Sequence, residues 1–253
     1  MKKFLWTAAA ALAFACAGVQ AAQTYVVGTG ATYRPFEYET AQKELVGFDV
    51  DLMRAIAKAE GFEVKFINTP WEGIFATVDK GDRDIIMSGI TINDKRKQVV
   101  TFSKPYFLAH QLVLTSQDVK ISKLADLTKG SVAVVSGSAG DSAASEVFGK
   151  TSSKIRRFDN TPLALEELNQ GGVMAVIGDV GVLAFYSKQN PDKKFNQFRD
   201  PSFKEQYFGI AVKKGNTELV NKINSGLDKV IANGEYNKIY QKWFGTDAPK
   251  LPQ

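Results

Sequence analysis

From Thr24 onward the chain alternates short β-branched apolar runs with stretches of helical period, the pattern of an α/β protein. Tyr25–Thr29, Val64–Ile67 and Ile85–Ser88 read as strands. Asp49–Glu60 reads as an amphipathic helix, with Val50, Met53, Ile56 and Ala57 on one face and Gly61 as its stop. Glu72–Lys80 is a second helix, closed by Gly81. Composition changes near His110–Thr115 and the pattern then restarts. Ser131–Val135, Lys154–Phe158 and Met174–Ile177 are strands, and Asp141–Phe148, Thr161–Asn169 and Val180–Gln189 are helices. Tyr207–Val212 is a last strand before the helices Thr217–Ala232 and Glu235–Phe244. The strand-like segments near 110–115 and 206–212 imply a chain that leaves one lobe, builds a second and returns. Ligands of open α/β sheets bind outside the carboxyl ends of the strands. The loops at 30–37, 69–73, 88–96, 136–141 and 178–180 should therefore meet in a cleft between the lobes.

The N-terminus belongs to another physical class. Lys2–Lys3, the apolar Phe4–Ala17 and the small-x-small Val19–Gln20–Ala21 form a secretory signal pattern over 1–21, cut after Ala21 or alternatively Ala22. A lipoprotein reading through Cys16 is disfavoured by Ala13 and Phe14. Cys16 is the only cysteine, so the exported chain would have no disulfide and would rest on its apolar cores. The formal charge of +5 falls to +3 without Lys2 and Lys3. This mild excess is spread along the chain, which argues against nucleic-acid binding. No other apolar run reaches membrane length.

Candidate chemistry concentrates at strand ends. Ile85–Met87 runs into Ser88–Gly89–Ile90–Thr91, and Asn93–Asp94 opens a helix with Arg96 in its first turn. Free amides, a hydroxyl and a guanidinium fork suit a carboxylate; the alternative is a solvated cationic helix start. Ser138 and Ala139 lie in the small-residue loop Ser136–Gly140 ahead of a helix, which is either an anion cradle or a tight turn. Asp179 ends the apolar MAVIG and begins a helix, as an ordinary N-cap or as a counter-charge for a cation. Tyr33 and Trp71 sit in loops after strands, off any helical core stripe, while Phe36 and Phe48 read as packing residues. Glu44, Asp49 and Asp51 read as helix-start charges, and Glu37 and Glu72 as solvent-facing acids.

GTGATYRPFEY (28–38), GFDVDLMRAIAK (47–58), PWEGIFATVDKGDRDII (70–86), DIIMSGITINDKRKQVVTFSKPY (84–106) and GEYNKIYQKWFG (234–245) follow in the order seen in bacterial extracellular solute-binding proteins of family 3, which this chain resembles. The resemblance implies a two-lobe periplasmic-binding-protein fold with a two-strand hinge. The first lobe would span 22–111 and 207–253, and the second 112–206. It implies a monomeric periplasmic protein that hands an L-amino acid of the polar or basic class to the permease subunits of an ABC transporter. By the same resemblance Ser88, Gly89, Thr91 and Arg96, with Ser138 and Ala139 across the cleft, hold the ligand's α-carboxylate. Asp179 takes its α-ammonium, and Tyr33 and Trp71 stack on it. No cofactor or metal is expected.

The departures bear on specificity. Many relatives carry Asp at the Gly30 position, and glutamine receptors carry Lys at Val135 and His at Gly178. Their loss implies a roomy pocket that separates neutral and polar amino acids weakly, unless Glu37 or Glu72 turns inward and restores a preference for Arg or Lys. A secreted lyase of the cyclohexadienyl dehydratase type is the alternative on this fold. Only Glu72, beside Trp71, offers itself as its acid, and His110, the single histidine, lies at a crossing.

Overall fold

The computed structural model describes residues 22–252; the expected secretory leader, its cleavage point and Cys16 lie outside the described residues. In the first lobe, strand β1 (Thr24–Thr29) leads into a small hairpin sheet of β2 (Thr32–Tyr33), β3 (Glu37–Glu39) and β4 (Leu45–Val46). Helix α1 (Phe48–Glu60), strand β5 (Glu63–Asn68), helix α2 (Ile74–Lys80), strand β6 (Ile85–Ile86), the short helix α3 (Asp94–Lys97) and the long strand β7 (Val100–Ala109) follow. The second lobe comprises β8 (Gln111–Thr115), β9 (Val132–Val135), α4 (Ala139–Phe148), β10 (Ile155–Phe158), α5 (Thr161–Asn169), β11 (Ala175–Asp179), α6 (Val180–Gln189) and β12 (Asn196–Phe198). Strand β13 (Gln206–Lys213) returns to the first sheet, and α7 (Thr217–Ala232) and α8 (Glu235–Phe244) pack on it and on α1.

The two main sheets run in the orders β5-β1-β6-β13-β7 and β10-β9-β11-β8-β12. Parallel pairs occupy one part of each sheet, and antiparallel pairs join the strands near the crossings. The chain crosses at His110, between β7 and β8, and again between Phe198 and Gln206. Gln111 and Gln206 each lie one residue across the expected boundary, in β8 and β13. The last rung between the outgoing and returning strands is Gln206 against Ala109.

Periodicity places α1 where its apolar face can be buried. Val50, Leu52, Met53, Ile56 and Ala57 are inside, and Gly61 ends the helix in the left-handed region at φ 69°, where a side chain is disfavoured. The first core is strongly aromatic: Phe36 meets Phe107 edge-to-face at 4.8 Å and lies near Phe48, Phe208 and Phe244. Val182 of α6 joins that cluster across the lobe boundary.

Three stretches depart from the sequence reading. Residues 30–37, expected as a loop, contain β2 and the start of β3. Strand β7, ten residues long, was hidden by Lys104–Pro105, since proline interrupts a ladder. Here Pro105 faces Gly209, beside a shift of register that accommodates the missing N–H. Helix α2 begins at Ile74 rather than Glu72, because Gly73 sits at φ 77° ahead of it.

Candidate functional site

The five strand-end loops converge on one cavity of about 340 Å³. Tyr33, Trp71, Ser88, Gly89, Thr91, Arg96, Ser138, Ala139 and Asp179 all line it. So do Gly30, Glu37, Glu72, Asp159, Asn160 and Thr161, among others. The volume lies within the range of about 300–1,000 Å³ found for small-molecule sites.

Arg96 is positioned by a short capped helix. The Asn93 side chain accepts from the Arg96 amide at 2.9 Å. Its guanidinium is buried rather than solvated. Nη1 donates to the Thr91 carbonyl at 2.8 Å and Nη2 crosses the cleft to the Gly137 carbonyl at 3.2 Å. The group lies 5.1 Å from the Trp71 ring centre and 5.5 Å from that of Phe75. Burial lowers its pKa to about 10, opposed by the charge of Asp179, so it stays cationic at neutral pH.

Across the cleft, the Ser138 hydroxyl caps α4 by accepting from the Asp141 amide, leaving the two earlier amides of the helix, Ala139 and Gly140, ahead of the capped turn. Asp179 immediately precedes α6, yet its side chain makes no cap bond. Its carboxylate accepts instead from the Tyr33 hydroxyl and from Gln111 Nε2, the latter at 2.8 Å. Burial raises its pKa to about 6, against the pull of the Tyr33 and Gln111 donors and the Arg96 charge. Trp71 Nε1 donates to the Ser136 carbonyl at 2.9 Å. Tyr33, Trp71 and Arg96 therefore each span the cleft.

Three readings require correction. Glu37, expected at the surface, is 1% exposed: β3 carries it inward beside Phe36, and its Oε1 accepts from the Ser88 hydroxyl at 2.8 Å. Asp49, expected as a solvated helix-start charge, is also 1% exposed; its Oδ2 accepts from the Gly89 amide and the Tyr106 hydroxyl, each at 2.8 Å. Consequently the Gly89 amide is committed to Asp49 and is no free donor for an anion, although Gly89 still borders the cavity. The Ser88 hydroxyl is likewise engaged, donating to Glu37 and accepting from the Gly30 amide at 3.0 Å. Glu72 remains exposed at the rim, and Glu44 faces water. Asp51 accepts from Lys242 and Trp243, tying α1 to α8.

Sequence reasoning missed Gln111 as a site residue and kept Glu37 only as an exception to its solvent-facing reading. A polar Gln opening the apolar QLVLT strand at the crossing was the available signal for the first. For the second it was a Glu held directly after the buried Phe36.

Charge counting makes the cavity acidic. Arg96 is its one cation among the described lining residues, against Glu37, Glu72, Asp159 and Asp179. The described residues contain no cluster of three His, Cys, Asp or Glu able to hold a metal ion, and no helix long and apolar enough to cross a membrane.

Residues 25–246 match the model of the bacterial extracellular solute-binding proteins, family 3. A probable histidine-binding protein of Neisseria gonorrhoeae is 43% identical over 226 residues, covering 89% of this chain and 84% of that protein. The arginine-, lysine-, histidine-binding protein ArtJ of Geobacillus stearothermophilus superposes with a TM-score of 0.86 at 41% identity, over 90% of this chain and 97% of its own. An ancestral arginine-binding protein solved with arginine bound gives a TM-score of 0.83 at 40% identity, over 88% and 98%.

Proposed function

The chain belongs to the bacterial extracellular solute-binding proteins of family 3, and on that premise we propose that it captures a cationic L-amino acid for an ABC importer. It binds its ligand and does not transform it. The single observation that carries the side-chain class is the buried Glu37 in the cavity wall, beside a Gly30 that has no side chain to cover it. An α-carboxylate is matched by Arg96, Thr91 and the amide of Ala139, and an α-ammonium by Asp179. That pairing leaves Glu37 without a counter-charge, which a guanidinium, ammonium or imidazolium side chain would supply. The names of the relatives support the same class. The expectation of a permissive neutral pocket gives way here, because its stated exception, an inward Glu37, is met. Tyr33 and Trp71 flank the ligand, and closure of the lobes completes the carboxylate clamp from both sides.

The protein would work as a periplasmic monomer that presents its closed form to permease subunits. A thermal-shift screen of the common L-amino acids tests the reading. Binding to the native form alone adds about 2.7 kcal/mol at a hundred times Kd. Arginine, lysine or histidine should raise Tm above all neutral amino acids. A larger response to a neutral or acidic amino acid would overturn the cationic class.

A further inference from the structure

Glu37 and Asp49 meet behind the cavity wall in an arrangement that the clamp alone does not explain. One oxygen of each has a donor: Ser88 serves Glu37 Oε1, and Gly89 with Tyr106 serves Asp49 Oδ2. The other two oxygens, Glu37 Oε2 and Asp49 Oδ1, are buried with no donor, and the two acids lie close enough for each to shift the other's titration. Two ionised carboxylates buried side by side, each with an oxygen that no donor serves, repel each other, and a proton held by one of them relieves both. Asp49 has two donors on its far oxygen and Glu37 has one, so the proton belongs mainly to Glu37. Burial next to a second acid raises the Glu37 pKa well above the carboxylate range in the same sense.

We propose, resting on the cationic reading above, that Glu37 is a proton-exchanging specificity residue. It faces a neutral side chain as the acid bridged to Asp49, and it gives up that proton to face a cationic one as the carboxylate. The reach is short. A Cβ built on Gly30, itself on the cavity wall, would stand 3.6 Å from Glu37 Oε1 and 3.2 Å from the Ser88 hydroxyl, so glycine leaves that approach clear. When a guanidinium arrives, the O–H bond of Glu37 breaks and the proton leaves to buffer. The two carboxylates then face the ligand cation together with the Ser88, Gly89 and Tyr106 donors. The titratable groups around the pair are Tyr33 from β2, Tyr106 from β7 and Asp179 from β11; the charge of Asp179 opposes a second negative charge there, while the neutral Tyr106 phenol donates to Asp49 and favours its ionised form. Arg96 from α3 is held by the carbonyls of Thr91 and Gly137. Nothing already in the wall replaces the ligand's charge.

Asp179 would also exchange a proton near its own pKa of about 6 when any α-ammonium binds. The contrast between a cationic ligand and its neutral isostere removes that contribution. The experiment is calorimetry of the full exported chain with L-arginine and L-citrulline at pH 7, in buffers of differing ionisation enthalpy, which reads protons released per ligand bound. Arginine should release close to one proton more than citrulline. Its affinity relative to citrulline should rise up to tenfold per pH unit between pH 6 and the pKa of the pair, and level off above it.

Glu37→Gln is the matched variant, since its amide reproduces the protonated acid by accepting from Ser88 and donating to Asp49. It should lose arginine affinity at least tenfold, hold citrulline within about threefold, and release no extra proton. Arginine binding with the same proton release as citrulline, or an extra proton that survives in Glu37→Gln, overturns this inference and leaves the cationic reading intact. Failure of every cationic amino acid to bind, with a neutral one binding, overturns both.

Discussion

The hydroxyl of Tyr33 in the first lobe donates to the carboxylate of Asp179 in the second, so the residue expected to stack on a ligand also fastens the cleft. With Gln111 on the other oxygen, Asp179 has both acceptors engaged by protein donors. An incoming ammonium would therefore share that carboxylate with a phenol and an amide, on the lone pairs they leave open.

Tyr33→Phe should loosen the protein in the absence of ligand. A hydrogen bond to a charged group contributes about 1.5–3 kcal/mol, so the closed-to-open ratio should fall by an order of magnitude or more. Small-angle scattering should give a larger radius of gyration than wild type without ligand, and the same radius at saturation. Identical radii in both conditions would mean that the bond does not hold the lobes together.

Arg96→Ala should weaken ligand binding by about 2–5 kcal/mol, the range for truncating one partner of a buried charge pair. Arg96→Lys should recover only part of this, since a single ammonium cannot reproduce the two directed bonds to Thr91 and Gly137. Near-wild-type affinity of Arg96→Ala by calorimetry would remove Arg96 from the site.

Asp179→Asn should abolish tight binding and yet stabilise the ligand-free fold at neutral pH. The Asp179 pKa is raised from 3.8 to about 6 by burial, so the folded state holds a proton more firmly than the unfolded chain. Such a group favours folding below pH 4, and that contribution is lost as pH rises through 6. The rise corresponds to roughly 3 kcal/mol at most. Melting curves should show Asp179→Asn above wild type at pH 7.5 and close to it at pH 4.5. A lower melting temperature at pH 7.5 would mean that Tyr33, Gln111 and Arg96 more than offset the burial.

Gly89→Ala should damage both stability and binding. Gly89 sits at φ 53°, and an added Cβ would stand 2.6 Å from the Tyr33 ring. Left-handed strain for a non-glycine residue costs about 1–3 kcal/mol, and the displaced ring would leave Asp179. A variant with unchanged affinity and melting temperature would contradict this placement of Tyr33.

The sheets and most helices were legible because their periods are strong; α5, α7 and α8 have the bounds that alternation and caps predicted. The residues that line the cavity were legible because strand ends collect them. Glu37 and Asp49 were not, because acids beside a turn or a helix start default to water, and their burial depends on long-range partners. Glu37 is turned inward by the hairpin and met by Ser88, 51 residues away; Asp49 is met by Gly89 and Tyr106, 40 and 57 residues away. Local pattern does not contain such long-range pairings. Strand β7 was obscured for a related reason, since its proline is tolerated only through a bulge formed with β13.

Trp71 lies between the lobes, its indole N–H on the Ser136 carbonyl and the Arg96 guanidinium over its ring. The other tryptophan among the described residues, Trp243, is bonded to Asp51 on α1, among first-lobe residues. Opening would take Trp71 from a charged, partly dry slot into water while Trp243 keeps its surroundings. The native chain thus has an optical gauge of its own closure built in, a moving fluorophore read against a stationary one, with no dye attached.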